Sequence, residues 1–244
     1  MSSASLSRAR GPARGRYAAL LAALLLLVIA VPVAAERGPI RDWLPDLLFA
    51  VVLLSALSAA LRRKAILAGM LALVATNQVA KYAGAGLGLS ADAAFVIELS
   101  ASIVFFAVTV GVILVDVLRD GEVTVDRLLG AAAVYLLIAA TFALAFALEH
   151  RLQPDALGMP GAVRATLADR HAALGVYWYF SMTTLTTVGY GDIVPATALS
   201  RGLAMLEASV GQLYLAIVVA RLVSLQLTKP SPPPTGGPPS EPRV

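Results

Sequence analysis

The stretch Thr183-Thr184-Leu185-Thr186-Thr187-Val188-Gly189-Tyr190-Gly191-Asp192 decides how this chain is read. Two glycines stand at alternate positions, 189 and 191. A backbone that turns every carbonyl toward one axis strains L-residues, and glycine at alternate positions relieves that strain. Thr187 adds a hydroxyl at one end of the row and Asp192 a carboxylate at the other. Val188 and Tyr190 then point away from the axis and brace the loop.

What surrounds this stretch is apolar. Of 244 residues, 59% are hydrophobic and 14% charged, where a soluble domain carries about 25% charged residues. The apolar residues form runs near the length of about 20 that crosses a bilayer core as a helix. The chain reads as an all-α, multi-pass membrane protein lying in the lipid bilayer. It has no cysteine, which excludes disulfides and thiolate metal sites. The net charge of +4 fits basic loops beside a membrane better than nucleic-acid binding, which is not expected.

Six spans are read, at 17–35, 44–61, 65–82, 93–117, 128–148 and 198–227. Backbone groups in hydrocarbon must be satisfied internally, so each is expected to be helical. Between the last two spans, residues 149–174 are polar and carry turn formers at Pro154, Gly158, Pro160 and Gly161. A short aromatic segment, Tyr177-Trp178-Tyr179-Phe180, leads into the Thr-rich stretch. This part is too short to span and reads as a re-entrant segment covered by protein.

The chain divides into a disordered basic arm at 1–16, a four-helix region at 17–118, a region at 119–228 that holds the glycine stretch between two helices, and a disordered Pro-rich tail at 229–244. With the N-terminus inside, twelve basic residues fall on the cytoplasmic side and seven outside. The clusters at Arg8, Arg10, Arg14 and Arg16 and at Arg62-Arg63-Lys64 sharpen the contrast. Both termini are therefore expected in the cytoplasm and the re-entrant loop outside, in the cell membrane. The run ending at Val33-Ala34-Ala35 also has the form of a signal peptide, but is long for one; a retained span is expected.

A potassium ion entering a dry passage must exchange its water shell for oxygens at similar spacing. The carbonyls of Thr187, Val188, Gly189 and Tyr190, with the Thr187 hydroxyl, can supply them. Asp192 raises cation concentration at the mouth. One strand gives only part of a ring, and the sequence holds one such segment, so four copies are expected to contribute: a homotetramer.

Thr187 to Gly191 is the TVGYG loop, and the chain from about Leu128 to Leu227 resembles the pore of potassium channels. The resemblance implies a potassium-selective channel subunit with K+ in the filter, no other cofactor and no enzymatic activity. It implies support of the filter by Tyr179, Thr183, Thr184, Thr186 and Asp192, and a hinge at Gly211. Two departures stand out. Many members carry a Trp pair where Tyr179 and Phe180 stand: Tyr179 can still donate to Asp192, but Phe180 cannot donate to Tyr190. Some carry an acidic residue at the Thr183 position, so inactivation behaviour does not carry over.

A voltage sensor needs Arg or Lys at every third position of one span. The fourth span carries Glu98 and Asp116 and no such repeat, so conventional voltage gating is not expected. On the last span, Gln212, Leu215, Val219 and Val223 share one helical face and are candidates for the cavity and its gate. Gly211 serves as hinge or as a small packing residue. Glu207 lies at membrane depth, where a charge costs roughly 2.5 kcal/mol or more. It is expected to hydrogen-bond behind the filter, to Thr183 or Thr184, and Glu98 to join Asn77, Gln78 and Lys81 between spans. Both acids are modulatory candidates, as are His150 and His171 for protons.

The rivals are a less selective cation channel on the same scaffold, a potassium transporter, and an enzyme. The intact filter disfavours the first and the single strict repeat the second. No Ser-His-Asp set, metal cluster or phosphate loop supports the third. Nothing after Leu227 has the composition of a folded cytoplasmic ligand-binding domain.

Overall fold

The structure is a computed structural model that describes residues 17–36, 44–61, 63–84, 86–119 and 124–227. The basic arm and the Pro-rich tail lie outside the described residues. Eight helices are present among them: α1 (Ala18–Glu36), α2 (Leu44–Ala60), α3 (Lys64–Ala83), α4 (Ala91–Val117), α5 (Val125–Leu152), α6 (Gly161–Thr166), α7 (Arg170–Leu185) and α8 (Ala198–Leu227). Two-residue strands β1 (Leu157–Gly158) and β2 (Val194–Pro195) complete the set.

Four of the helices, α3, α4, α5 and the Ala198–Arg221 part of α8, are long and apolar enough to cross a membrane. α2 is apolar over 17 residues, and α1 has an apolar stretch at Ala18–Ile29.

The long helices α4 and α5 begin at local caps. Ser90 Oγ accepts from the Ala93 amide at 3.2 Å, and Thr124 Oγ1 accepts from the Arg127 amide at 3.3 Å. Each satisfies an amide that the helix itself leaves open, and Asp92 and Asp126 in the first turns suit the helix dipole.

α5 is the hub, packing on α1, α4, α7 and α8. Its apolar window is 61% buried, against 22% for α8 and 11% for α3, so those two keep open faces in the single chain. Ala133, Leu137, Ala139 and Phe146 of α5 are fully buried. Small residues there let neighbours approach closely: a Cβ on Gly130 would lie 2.8 Å from the Tyr17 ring. Tyr17 is buried at the head of α1. Its amide donates to Asp126 Oδ1 at 3.1 Å and its hydroxyl to Asp116 Oδ2 at 2.6 Å. α1, with Leu20 and Leu24 fully buried, packs on α5 and α7 as well as α2. The first and second halves of the chain therefore share a core.

Between α3 and α4, Asn77 Nδ2 donates to the Glu98 carbonyl at 3.2 Å and to Ser102 Oγ at 2.8 Å. It is the backbone of Glu98 that Asn77 holds there.

The polar linker is more ordered than its composition suggests. α5 runs on to Leu152, and β1 and α6 follow. α7 starts at Arg170, well before the aromatic segment, because Asp169 Oδ1 caps it by accepting from the Ala172 amide at 2.9 Å. β1 pairs antiparallel with β2, Leu157 opposite Pro195 and Gly158 opposite Val194.

Candidate functional site

α7 is a 16-residue helix that ends at Leu185, immediately before the glycine loop. Its last carbonyls need partners, and the loop amides supply them. The Thr186 amide donates to the Met182 carbonyl at 3.1 Å, Thr187 to Thr184 at 3.0 Å, and Gly189 to Thr183 at 3.1 Å. The Thr186 hydroxyl also donates to Met182 O, at 2.6 Å. The loop thus starts at the negative end of a helix dipole, an arrangement that favours a cation.

The backbone of the loop has an unusual rhythm. Thr187, Gly189 and Gly191 have φ of 59°, 54° and 81°. Among the described residues Thr187 is the one non-glycine residue at positive φ. A β-branched residue there is strained by about 1–3 kcal/mol and is held only when its surroundings over-determine it. Left-handed geometry at every second residue undoes the alternation of an extended strand, so that successive carbonyls can share a side.

Tyr179 supports the outer part. Its hydroxyl donates to Asp192 Oδ2 at 2.8 Å, and its ring stacks on Tyr190 with 6.3 Å between centroids and 3° between planes. The hydrogen bond to Asp192 raises the Tyr179 phenol above its ordinary value, so it remains a donor. Phe180 faces away, buried edge-on against Phe146 of α5 at 4.7 Å. The position that cannot donate to Tyr190 is used for the core instead. Val188 and Tyr190 are exposed in the single chain.

Leu185 is the buried junction at the base of the loop. Tyr135 of α5 donates to its carbonyl at 3.3 Å. From the other side α8 presents Gly211, where a Cβ would meet Leu185 Cδ1 at 2.7 Å and Leu185 O at 2.8 Å. Close packing alone therefore requires glycine here.

Glu207, one turn earlier on α8, is fully buried. Its partner is Ser181 of α7, not Thr183 or Thr184. Those two hydroxyls bond back to the Phe180 carbonyl within their own helix, at 3.0 and 2.8 Å. Ser181 Oγ also donates to Ala139 O of α5 at 2.7 Å.

α8 has two faces. Glu207, Gly211, Tyr214 and Val218 are buried, and Tyr214 donates to Ala131 O of α5 at 2.6 Å. Gln212, Leu215, Val219 and Val223 are exposed on another side. At its N-terminal end, Thr197 Oγ1 donates to the buried Glu149 Oε1 at 2.6 Å, and Ser200 Oγ donates to Thr197 O at 3.1 Å. His150 Nδ1 is buried without a hydrogen-bond partner, its ring 5.9 Å from that of Tyr177. Ser181, Tyr135, Leu185 and the Glu149–Thr197 pair are absent from the sequence-derived set of functional positions. A lone serine among apolar and aromatic neighbours of α7 was the available signal for the first.

The helices and the loop they frame define a multi-pass membrane protein with a short helix and a glycine loop between two long helices. Residues 156–226 match the family described as ion channel. The chain is 45% identical over 47 residues to two-pore potassium channel 4 of Arabidopsis thaliana, a match covering 19% of this chain and 16% of that protein. No solved structure matches this chain. Residues 156–226 thus carry an ion-channel family segment, and part of the chain is similar to a potassium channel.

Proposed function

We propose that the chain is one subunit of a potassium-selective channel that conducts passively through a filter built by four copies. The observation that carries this is the alternation of positive φ at Thr187, Gly189 and Gly191, in a loop hung from the C-terminus of α7. It is the backbone state that lets carbonyls 187 to 190 line one axis and replace the water shell of K+. One such loop per chain supports fourfold assembly. So does the surface left open: the filter residues and the Gln212, Leu215, Val219 and Val223 face are exposed in a single copy. That face lines the cavity, and Val219 and Val223 form the constriction that gates by dewetting.

The six helices α1 to α5 and α8 each span the cell membrane, with both termini cytoplasmic and α7 entering from outside. Gating is not conventionally voltage-driven, because α4 holds no arginine repeat. Purified protein in a planar bilayer under a potassium gradient tests the proposal. The reversal potential should follow the potassium equilibrium potential; a reversal potential indifferent to the gradient refutes it.

A further inference from the structure

Ser181 poses a problem of proton counting. Its Oγ contacts both Ala139 O and Glu207 Oε1, and a hydroxyl owns one proton. A carbonyl oxygen can only accept. If Ser181 gives its proton to Ala139, the proton between Ser181 and Glu207 must belong to Glu207. A carboxylate there would leave one of the two contacts without a hydrogen.

The surroundings point the same way. Glu207 is fully buried and its Oε2 has no hydrogen-bond partner. The elements packed against this part of α8 are α5 and α7. No Lys, Arg or His lies between Arg127 and His150 on α5, between His171 and Leu185 on α7, or between Arg201 and Arg221 on α8 itself. The ionisable groups these helices do present are Tyr135, Glu149, Tyr177 and Tyr179, with Tyr214 on α8. None supplies a positive charge. An unpaired buried carboxylate with an empty oxygen is far costlier than a neutral acid.

We infer that Glu207 is a neutral carboxylic acid and a positioning residue for the filter. It donates to Ser181, which donates to Ala139 O, so a relay of two hydrogen bonds ties α8 to α7 and α7 to α5. The relay lies one turn above the Leu185–Gly211 contact and sets the pore helix at its height. Removing the proton takes Ser181 from Ala139 and leaves a charge with no counter-ion. The filter support then loosens at alkaline pH. The protonation state rests on the geometry alone; its effect on current rests on the channel proposal.

The test is infrared difference spectroscopy on the full chain in lipid vesicles, with potassium current recorded from the same preparation. At neutral pH the wild type minus Glu207→Gln spectrum should contain a protonated-carboxyl carbonyl band. Ser181→Ala, which keeps the acid, should shift that band to higher frequency. Glu207→Gln can still donate to Ser181, so it should retain the current and lose the alkaline decline, whereas Glu207→Ala should lose the current. Absence of the band, a band unmoved by Ser181→Ala, or loss of current in Glu207→Gln as complete as in Glu207→Ala overturns the inference. Should Glu207→Gln fail to fold, the shift in Ser181→Ala alone decides it. Vesicles with the band but no potassium current would refute the channel proposal and leave the neutral acid standing.

Discussion

Gly211 of the last helix faces the backbone of Leu185 so closely that a Cβ would lie 2.8 Å from the Leu185 carbonyl oxygen. A backbone atom cannot rotate away as a side chain can. Gly211→Ala should therefore destabilise the protein by about 1–3 kcal/mol, the usual range for overpacking. Gly202 of the same helix meets nothing within 4 Å. Gly202→Ala should be neutral or stabilising by about 0.5–1 kcal/mol, through helix propensity. Thermal unfolding in detergent compares them; equal midpoints would mean that the close approach is absent.

Thr187 holds a positive φ without being glycine. Thr187→Gly should relieve the strain and leave the loop easier to form, but it removes the hydroxyl at the base of the proposed filter. Preference for potassium over sodium in bi-ionic recordings should fall. Thr187→Ser, which keeps the hydroxyl, should stay selective. Equal selectivity in the two variants would remove the hydroxyl from the proposed filter chemistry.

The Tyr179 hydroxyl bond to Asp192 is exposed and so modest, worth roughly 0.5–1.5 kcal/mol. Tyr179→Phe keeps the ring that stacks on Tyr190 and should speed decay of sustained current roughly two- to tenfold. The phenol is raised above the ordinary tyrosine value of 10.0. A raised value means that the bond's contribution is whole below 10.0 and fades only as pH climbs through the raised value. Between neutral pH and moderately alkaline pH the decay difference between wild type and Tyr179→Phe should not change. A difference that vanished within that window would assign it to another group.

Thr197 is a hydrogen-bond partner of the buried Glu149. Thr197→Val deletes that bond and part of the α8 cap together. The expected cost is about 1–3 kcal/mol, because a buried acceptor is left unmet. Limited proteolysis of the outer loop should quicken in parallel with the fall in unfolding midpoint. An unchanged midpoint would show that water reaches Glu149.

The long helices were legible because hydrophobic run length is a local property, and the observed bounds differ from the sequence-derived spans by a few residues. The backbone of the glycine loop was legible for the same reason: alternate glycines state their own backbone needs. The start of α7 was harder. Its first turns are polar and small, and only Asp169, three residues before the amide it caps, marks the boundary. What the sequence concealed were partners brought together by the fold. Glu207 invited a hydrogen-bond partner, but the pairing with Ser181 depends on which side of α7 faces α8. Leu185 resembles any other leucine until Tyr135 and Gly211 close on it from two helices.

The anchoring of Tyr17 also has a consequence for the order of events during synthesis. Its amide is held by Asp126, 109 residues further along the chain. α1 leaves the ribosome before α2 to α8, yet two of its neighbours, α5 and α7, come late. The packing of α1 on α5 and α7 must therefore wait until the second half arrives, since contacts so distant in sequence cannot form early. A nascent chain arrested after α4 would lack that seat for its first helix. Maturation is then a late docking step, in which an early segment closes against later ones.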